Sequence, residues 1–297
     1  MRISSTSYWL VVISIGWLIA LTWICRAQAG TQASDAASFV EVENGKISYQ
    51  ECGSGANTIV LIHDGIADSS VWDEVWPAFC KEYPTIRYDR RGYGKSPAAT
   101  KWYYETDDLA ALLHHLKVKR AVLVGSSHGG ELSIDFTLGH PEMVQQLVLV
   151  GAVVSGMPYT DHFLDRGIKN SKPFENHDVK GGLENWANDK YLLAPGHDAA
   201  KKHLLEILTR NPQDMTHDDY ARPTSPALPR LHEIRVPTLI LTGDADIPDV
   251  HAHAGAIEAG IPGARRVILP DSGHLMYLEK PQEFTAIVFA FLKSHMN

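Results

Sequence analysis

Apolar residues recur in two rhythms along this chain. From about Lys46, "KISYQECG" alternates apolar and polar positions, as a strand with one buried face does. "NTIVLIHDG" is a nearly unbroken apolar run ending at Gly65, which suits a strand covered on both sides. The next segment reads as a helix, with Ser70 and Asp73 as a capping pair at its start. "TIRYDRRGYGKS" predicts a strand and a glycine-rich loop, "DDLAALLHHL" a helix, "RAVLVG" a buried strand, "GGELSIDFTLGHP" a helix and "VQQLVLVGAVV" a strand. "VPTLILTGDAD" and "RRVILPDSGH" are again strand-like, and "EKPQEFTAIVFAFLKSH" closes the chain as an amphipathic helix. Strands alternating with helices predict an α/β fold with a mostly parallel sheet, flanked by helices on both faces.

The alternation breaks between about Met157 and His232, where no strand signal stands out. Short helical patterns such as "HDAAKKHLLEILTRN" fill it, with aromatics at Tyr159, Phe163, Trp186, Tyr191 and Tyr220. A structureless loop of that length is improbable, so residues 157–232 are expected to form a helical cap between two core strands. The core then comprises 30–156 and 233–297.

Residues 1–29 read as a separate unit. Arg2 precedes the apolar run Tyr8–Ile24, and Ala27-Gln28-Ala29 fits a cleavage site. That is the layout of a secretory signal peptide cut after Ala29. The alternative is an uncleaved anchor over residues 8–24, for which the run is near the lower length limit. Ile24 before Cys25 argues against lipid attachment there. The chain has 297 residues, 44% of them hydrophobic, and a net charge of -8, so a large core fits and a basic nucleic-acid footprint does not.

Chemistry gathers at "GSSHG". Gly125-Ser126-Ser127-His128-Gly129 matches G-x-S-x-G between a strand and a helix, the context of a nucleophile elbow. The flanking glycines select Ser127 over Ser126. A serine hydroxyl needs a base to take its proton. The side chain of His128 should point away on so sharp a turn, while its backbone N–H is placed to donate to an oxyanion. The better base is His274, on a Gly-flanked loop after the last strand, and the better acid is Asp246 in "LTGDADIP". Asp244 is the chief rival acid and Asp249 a lesser one. His251-Ala252-His253 lacks further ligands at metal-site spacing, so no metal is expected.

Five motifs in order resemble the α/β-hydrolase superfamily from about Gly45 to the C-terminus. They are "LIHDGIADSSVWD" with Trp72, "DRRGYGKS" through Asp89, Arg91, Gly92, Gly94 and Ser96, the elbow, "GDAD", and "GHLMYLEKPQEF". The resemblance implies an eight-stranded sheet and a Ser127–Asp246–His274 triad. It also implies an oxyanion hole of the Gly65 and His128 backbone N–H groups, with no cofactor. One position departs from the pattern: Asp64 stands where the family usually has Gly. That carboxylate either biases the hole against anionic substrates or turns outward and only caps the nearby helix. His63 is expected to hold its loop.

Cys52 ends a strand and Cys80 lies near the end of the first helix, both at the end of the sheet away from the site. A Cys52–Cys80 disulfide is expected, against two unpaired buried thiols. The expected function is an exported serine hydrolase that cleaves a small-to-medium carboxylic ester or lactone through an acyl-enzyme. Alternatives are a carbon–carbon bond hydrolase, an amidase or aminopeptidase, and a non-catalytic ligand-binding homologue. The expected partner is a small-molecule substrate. A membrane enters only if the N-terminal segment stays uncleaved, and the oligomeric state is left open.

Overall fold

The computed structural model describes residues 37–217 and 219–295. The expected signal peptide over 1–29, its cleavage after Ala29 and the alternative anchor over 8–24 lie outside the described residues.

The unbroken apolar runs become the middle of one eight-stranded sheet. Its strands are β1 (Ser38–Val42), β2 (Gly45–Cys52), β3 (Thr58–Ile62), β4 (Thr85–Tyr88), β5 (Ala121–Ser126), β6 (Val144–Val150), β7 (Thr238–Gly243) and β8 (Arg265–Leu269). They lie in the order β1-β2-β4-β3-β5-β6-β7-β8. β1–β2 and β2–β4 pair antiparallel, and every other neighbouring pair is parallel. Successive side chains of a strand face opposite sides. Ile59, Leu61, Val122 and Val124 accordingly join one core cluster, and Val60, Ile62, Ala121 and Leu123 join the other.

Helices cover both faces. α1 (Trp76–Glu82), the short α8 (Met276–Glu279) and α9 (Pro281–His295) pack on the first cluster; α2 (Glu105–His115), α3 (His128–Gly139) and α7 (Pro248–Gly260) pack on the second. The chain leaves β3 for β4 on one side, then crosses to β5 on the other. That reversal opens a crevice beyond the carboxyl ends of β3 and β5, where open parallel sheets bind ligands. The loops after β3 and β5 carry Gly65 and Ser127.

Between β6 and β7 run α4 (Asp161–Glu175), α5 (Val179–Ala187) and α6 (Asp198–Arg210). Leu183, Trp186, Leu204 and Leu208 from α5 and α6 belong to the same apolar cluster as α1 and α9, so these helices are packed onto the core. Cys52 and Cys80 are joined in a disulfide that ties the end of β2 to α1.

Two details differ from the sequence reading. The alternation read from about Lys46 misses β1, a five-residue edge strand paired with β2 from Val42↔Gly45 to Ser38↔Tyr49. Its signal was Asn44-Gly45: Asn44 takes a positive φ of 57°, as tight hairpin turns require. Ser70 and Asp73 are not the capping pair. Asp68 caps a 3-10 turn over Ser69–Trp72 by accepting the Ser70 N–H, and α1 begins only at Trp76, with Pro77 in its first turn. An Asp closer to the turn supplies the acceptor, and proline fixes the later start.

Candidate active site

β5 ends at Ser126 and α3 begins at His128, so Ser127 alone makes the turn. It does so at φ 52°, ψ -115°, outside the regions L-residues prefer, a cost of about 1–3 kcal/mol. The conformation is pinned on both sides: Ser127 N–H donates to the Val150 carbonyl (2.8 Å), and Gly130 and Glu131 N–H donate back to the Ser127 carbonyl (2.9 and 3.1 Å). The flanking glycines are required by close approach. A Cβ on Gly125 would collide with the Gly129 carbonyl and the Ser133 hydroxyl, and one on Gly129 would lie 2.5 Å from the Ile62 and His63 carbonyls. Ser126 is fully buried, with its hydroxyl 3.0 Å from the Tyr277 hydroxyl.

The loop after β8 carries His274, whose Nδ1 lies 2.9 Å from Asp246 Oδ2 and 3.1 Å from Oδ1. A carboxylate only accepts, which places the proton on Nδ1 and leaves Nε2 as the basic nitrogen. Burial opposes an imidazolium here, yet the adjacent Asp246 carboxylate outweighs it and raises the His274 pKa. Gly151, at the end of β6, forms the floor: a Cβ there would stand 2.8 Å from His274 Nδ1. The His274 loop is sewn to the segment after α5. His274 and Leu275 N–H donate to the Tyr191 and Leu192 carbonyls (2.8 and 2.9 Å), and Glu279 accepts from Gly273 N–H (2.7 Å) and Ala194 N–H (2.5 Å).

The rival acids are engaged elsewhere. Asp244 accepts the Ser272 N–H at 3.2 Å. Asp249 accepts the N–H and hydroxyl of Thr160 at 2.8 and 2.9 Å, anchoring the start of α4. His253 is buried and accepts the Val154 N–H at 3.0 Å, and His251 accepts from Arg266 at 2.9 Å.

The loop after β3 is held from below. His63 Nδ1 donates to the Asp64 carbonyl (2.8 Å) while its Nε2 accepts the Arg90 N–H (3.0 Å). Burial, and then the Arg90 charge, push its pKa well down, so it stays neutral. Asp64 is buried rather than turned to solvent. Its Oδ1 accepts the Ile66 and Ala67 N–H groups (2.7 and 3.0 Å) and its Oδ2 the Tyr277 hydroxyl (3.2 Å). Burial pushes this carboxyl up, with the loop amides and His274 pulling the other way. Tyr277 has one proton and gives it to Asp64, so its oxygen accepts from Ser126. One hydrogen-bonded strut thus joins the loop of Gly65 to the elbow.

Asp64, Gly65, Ser127, Asp246 and His274 line one cavity of about 120 Å³. Its far wall comes from the β6–β7 insertion, including Phe163, Arg166 and Trp186. His128 does not line it. Its imidazole turns to Glu105 (Nε2 to Oε2, 2.7 Å), although a Cβ on Gly65 would lie only 3.8 Å from the His128 Cβ. The backbones of the two expected donors are therefore neighbours. Sequence reasoning passed over Arg90, Glu105, Arg166 and Tyr277. Arg166 pairs with Asp189 at 2.7 Å at the cavity wall, and no local motif marks it. Tyr277 lies three residues after His274, close enough to share its loop, and that spacing was the available hint.

A strained serine and a carboxylate-held histidine lining one small cavity are parts that acyl transfer uses. Known proteins similar to this chain are hydrolases. A curated 2-hydroxy-6-oxononadienedioate/2-hydroxy-6-oxononatrienedioate hydrolase of Cupriavidus pinatubonensis is 28% identical over 299 residues, covering 90% of this chain and 98% of its own. Among solved structures, Est816, an N-acyl homoserine lactone degrading enzyme, superposes with a TM-score of 0.68 at 26% identity over 86% of this chain and 100% of its own. The esterase EaEST from Exiguobacterium antarcticum does so with a TM-score of 0.73 at 25% identity, over 87% and 100%. The model of the alpha/beta hydrolase family matches residues 59–287, from β3 into α9 and so across the whole cavity. This chain therefore belongs to the alpha/beta hydrolase family.

Proposed function

We propose that the protein is an exported serine hydrolase that cleaves a small-to-medium carboxylic ester or lactone through an acyl-enzyme. The observation that carries this reading is the strained Ser127, lining the same cavity as the His274–Asp246 pair. Ser127 Oγ attacks the carbonyl carbon while His274 Nε2 takes its proton. Asp246 holds the imidazole in the needed tautomer and stabilises its cation. The Gly65 and His128 N–H groups receive the developing oxyanion, an interaction worth on the order of 3 kcal/mol per donor. His274 then protonates the leaving oxygen, and water attacks the acyl-enzyme by the reverse path. The names of Est816 and EaEST support the ester and lactone class. In this reading residues 157–232 act as a cap that selects the acyl group.

Export is supported by the layout of residues 1–29 and by the Cys52–Cys80 disulfide, because disulfides persist in oxidising compartments. A second reading, carbon–carbon bond hydrolysis, is favoured by the curated relative and by Arg166, a cation at the cavity wall. Ser126 stands where such relatives tend to carry Asn, which ranks it below the ester reading. The test is labelling with an aryl phosphonate, followed by assay of short-chain aryl esters, lactones and diketones. Wild type should label and turn over esters or lactones, and Ser127→Ala should do neither. A wild type inert to label and to every ester and lactone would refute the proposal, and activity kept in Ser127→Ala would refute the site.

A further inference from the structure

We propose that Arg90 and Glu105 are positioning residues for the oxyanion site: their buried ion pair holds the Gly65 and His128 amides in one fixed arrangement. This rests on the serine-hydrolase reading, in which those two amides receive the oxyanion.

The Gly65 N–H belongs to the same planar peptide unit as the Asp64 carbonyl. Fixing the oxygen therefore fixes the direction of the N–H. That oxygen accepts from Arg90 Nη2 at 2.7 Å and from His63 Nδ1 at 2.8 Å. The next carbonyl along, that of Gly65, accepts the Tyr93 hydroxyl at 3.0 Å, and Arg90 stacks over the Tyr93 ring at 4.6 Å. Arg90 thus grips the peptide directly on one side and through Tyr93 on the other. A cation bound to the carbonyl end also polarises the peptide, which strengthens its N–H as a donor.

The same guanidinium reaches the second amide. Arg90 Nη1 donates to Glu105 Oε1 at 2.8 Å, and Glu105 Oε2 takes His128 Nε2 at 2.7 Å. Glu105 is the first residue of α2, where the helix dipole favours a carboxylate. Side-chain exposure is 4% for Arg90 and 14% for Glu105, so water competes little for the ion pair. One bridge therefore runs from the peptide bearing the first donor to the residue bearing the second.

Stability alone is a poor account of this bridge. A buried ion pair is often no better than apolar residues of the same shape. Arg90 Nε is also buried with no hydrogen-bond partner among the described residues, a cost left uncompensated.

The test uses the full chain with Arg90→Lys. A point-charge ammonium cannot serve the Asp64 carbonyl and Glu105 together as a planar fork does. Competent sites are counted by phosphonate titration run to completion. kcat and KM are then measured on an aryl ester, with Ki for a trifluoromethyl ketone, whose adduct oxygen occupies the hole. Small misplacements of a catalytic group cost up to about 10²-fold, so kcat per titrated site should fall by roughly 10- to 100-fold. KM should stay within about threefold, and the ketone should weaken by the same factor as kcat/KM, since both report transition-state binding. A kcat per site within about twofold of wild type, or a loss confined to KM, overturns the proposal. Should Arg90→Lys not fold, His128→Ala is the second variant. Its side chain is 41% exposed, and the variant keeps the backbone donor while losing the tie to Glu105 and a looser contact with Glu131 at 3.9 Å. It should lose several-fold in kcat and in ketone affinity, and full retention of both overturns the proposal. A wild type without label or turnover sinks this inference together with the hydrolase reading. An active wild type beside an undiminished variant sinks this one alone.

Discussion

Asp246→Asn tests what the carboxylate contributes to His274, its charge and its acceptor together, with the side-chain shape kept. Asn has the shape of Asp, and its amide oxygen can still accept the Ile247 N–H that Asp246 Oδ1 accepts at 2.7 Å. What it loses is the negative charge 2.9 Å from His274 Nδ1, and its NH2 group then donates where the carboxylate accepted, which favours the wrong imidazole tautomer. Neither side chain offers solvent a screening path, with 0% of Asp246 and 10% of His274 exposed. At an effective dielectric of ~20, the attraction between a full charge and the imidazolium at that distance is about 6 kcal/mol. The imidazolium forms only as the reaction proceeds, so the loss falls on the transition state. About 6 kcal/mol corresponds to roughly 10⁴-fold in rate. The assay is kcat/KM for an aryl ester against pH, per titrated site. The base must be neutral to act, and Asp246 raises the His274 pKa, so the wild-type acid limb should lie above the ordinary imidazole value of 6.5. In Asp246→Asn that limb should move down while the plateau falls by 10³- to 10⁴-fold. A plateau within tenfold of wild type, with an unmoved limb, would refute Asp246 as the orienting acid. Asp244→Asn is the matched control and should stay within about threefold.

Three further outcomes are expected. Replacing Cys52 and Cys80 by Ala opens a crosslink between residues 28 apart, so urea unfolding should show a loss of about 3–4 kcal/mol; an unchanged midpoint would count against it. Burial pushes the Asp214 carboxyl up to about 8 from 3.8, with Asp68 and Asp89 adding to the rise, although the Gly94 N–H it accepts at 2.9 Å pulls it down. The folded state then holds a proton the unfolded chain releases, so stability should drain away as pH rises from 3.8 to about 8. Asp214→Asn should flatten that slope, and parallel Tm–pH curves for the two proteins would refute it. Tyr277→Phe strands the buried Asp64 and Ser126 groups, which should destabilise by about 1–3 kcal/mol. Adding Ser126→Ala should recover part of that, and strictly additive losses in a double-mutant cycle would show that the strut does not couple them.

What could be read in the chain divides along a physical line. The central strands β3, β5, β6 and β7 are buried on both faces, and that burial writes unbroken apolar runs anyone can read. Ser127 was legible because its turn forbids side chains on Gly125 and Gly129, so backbone geometry is spelled out as residue type. Arg90, Glu105 and Tyr277 were not legible. Each acts through partners far off in the chain, Tyr277 on Asp64 across 213 positions, and a buried polar side chain looks like a surface one until its partner is known. Of the expected capping alternative for Asp64, the local caps are present at Ile66 and Ala67, but the side chain is buried instead of turned outward because Tyr277, 213 positions on, takes its second oxygen. The Cys52–Cys80 pairing, by contrast, followed from placing two elements at one end of a sheet.

Ser127 has a consequence for the history of the chain. Its backbone sits where glycine is at ease and serine is not, at φ 52°. Exchanging it for glycine would relax the turn by about 1–3 kcal/mol, a large step for a fold of ordinary margin. Mutation and selection for stability alone would therefore drift this position toward glycine in any lineage that no longer used the hydroxyl. A serine still standing there is itself an argument against a protein that keeps the fold only to hold a ligand.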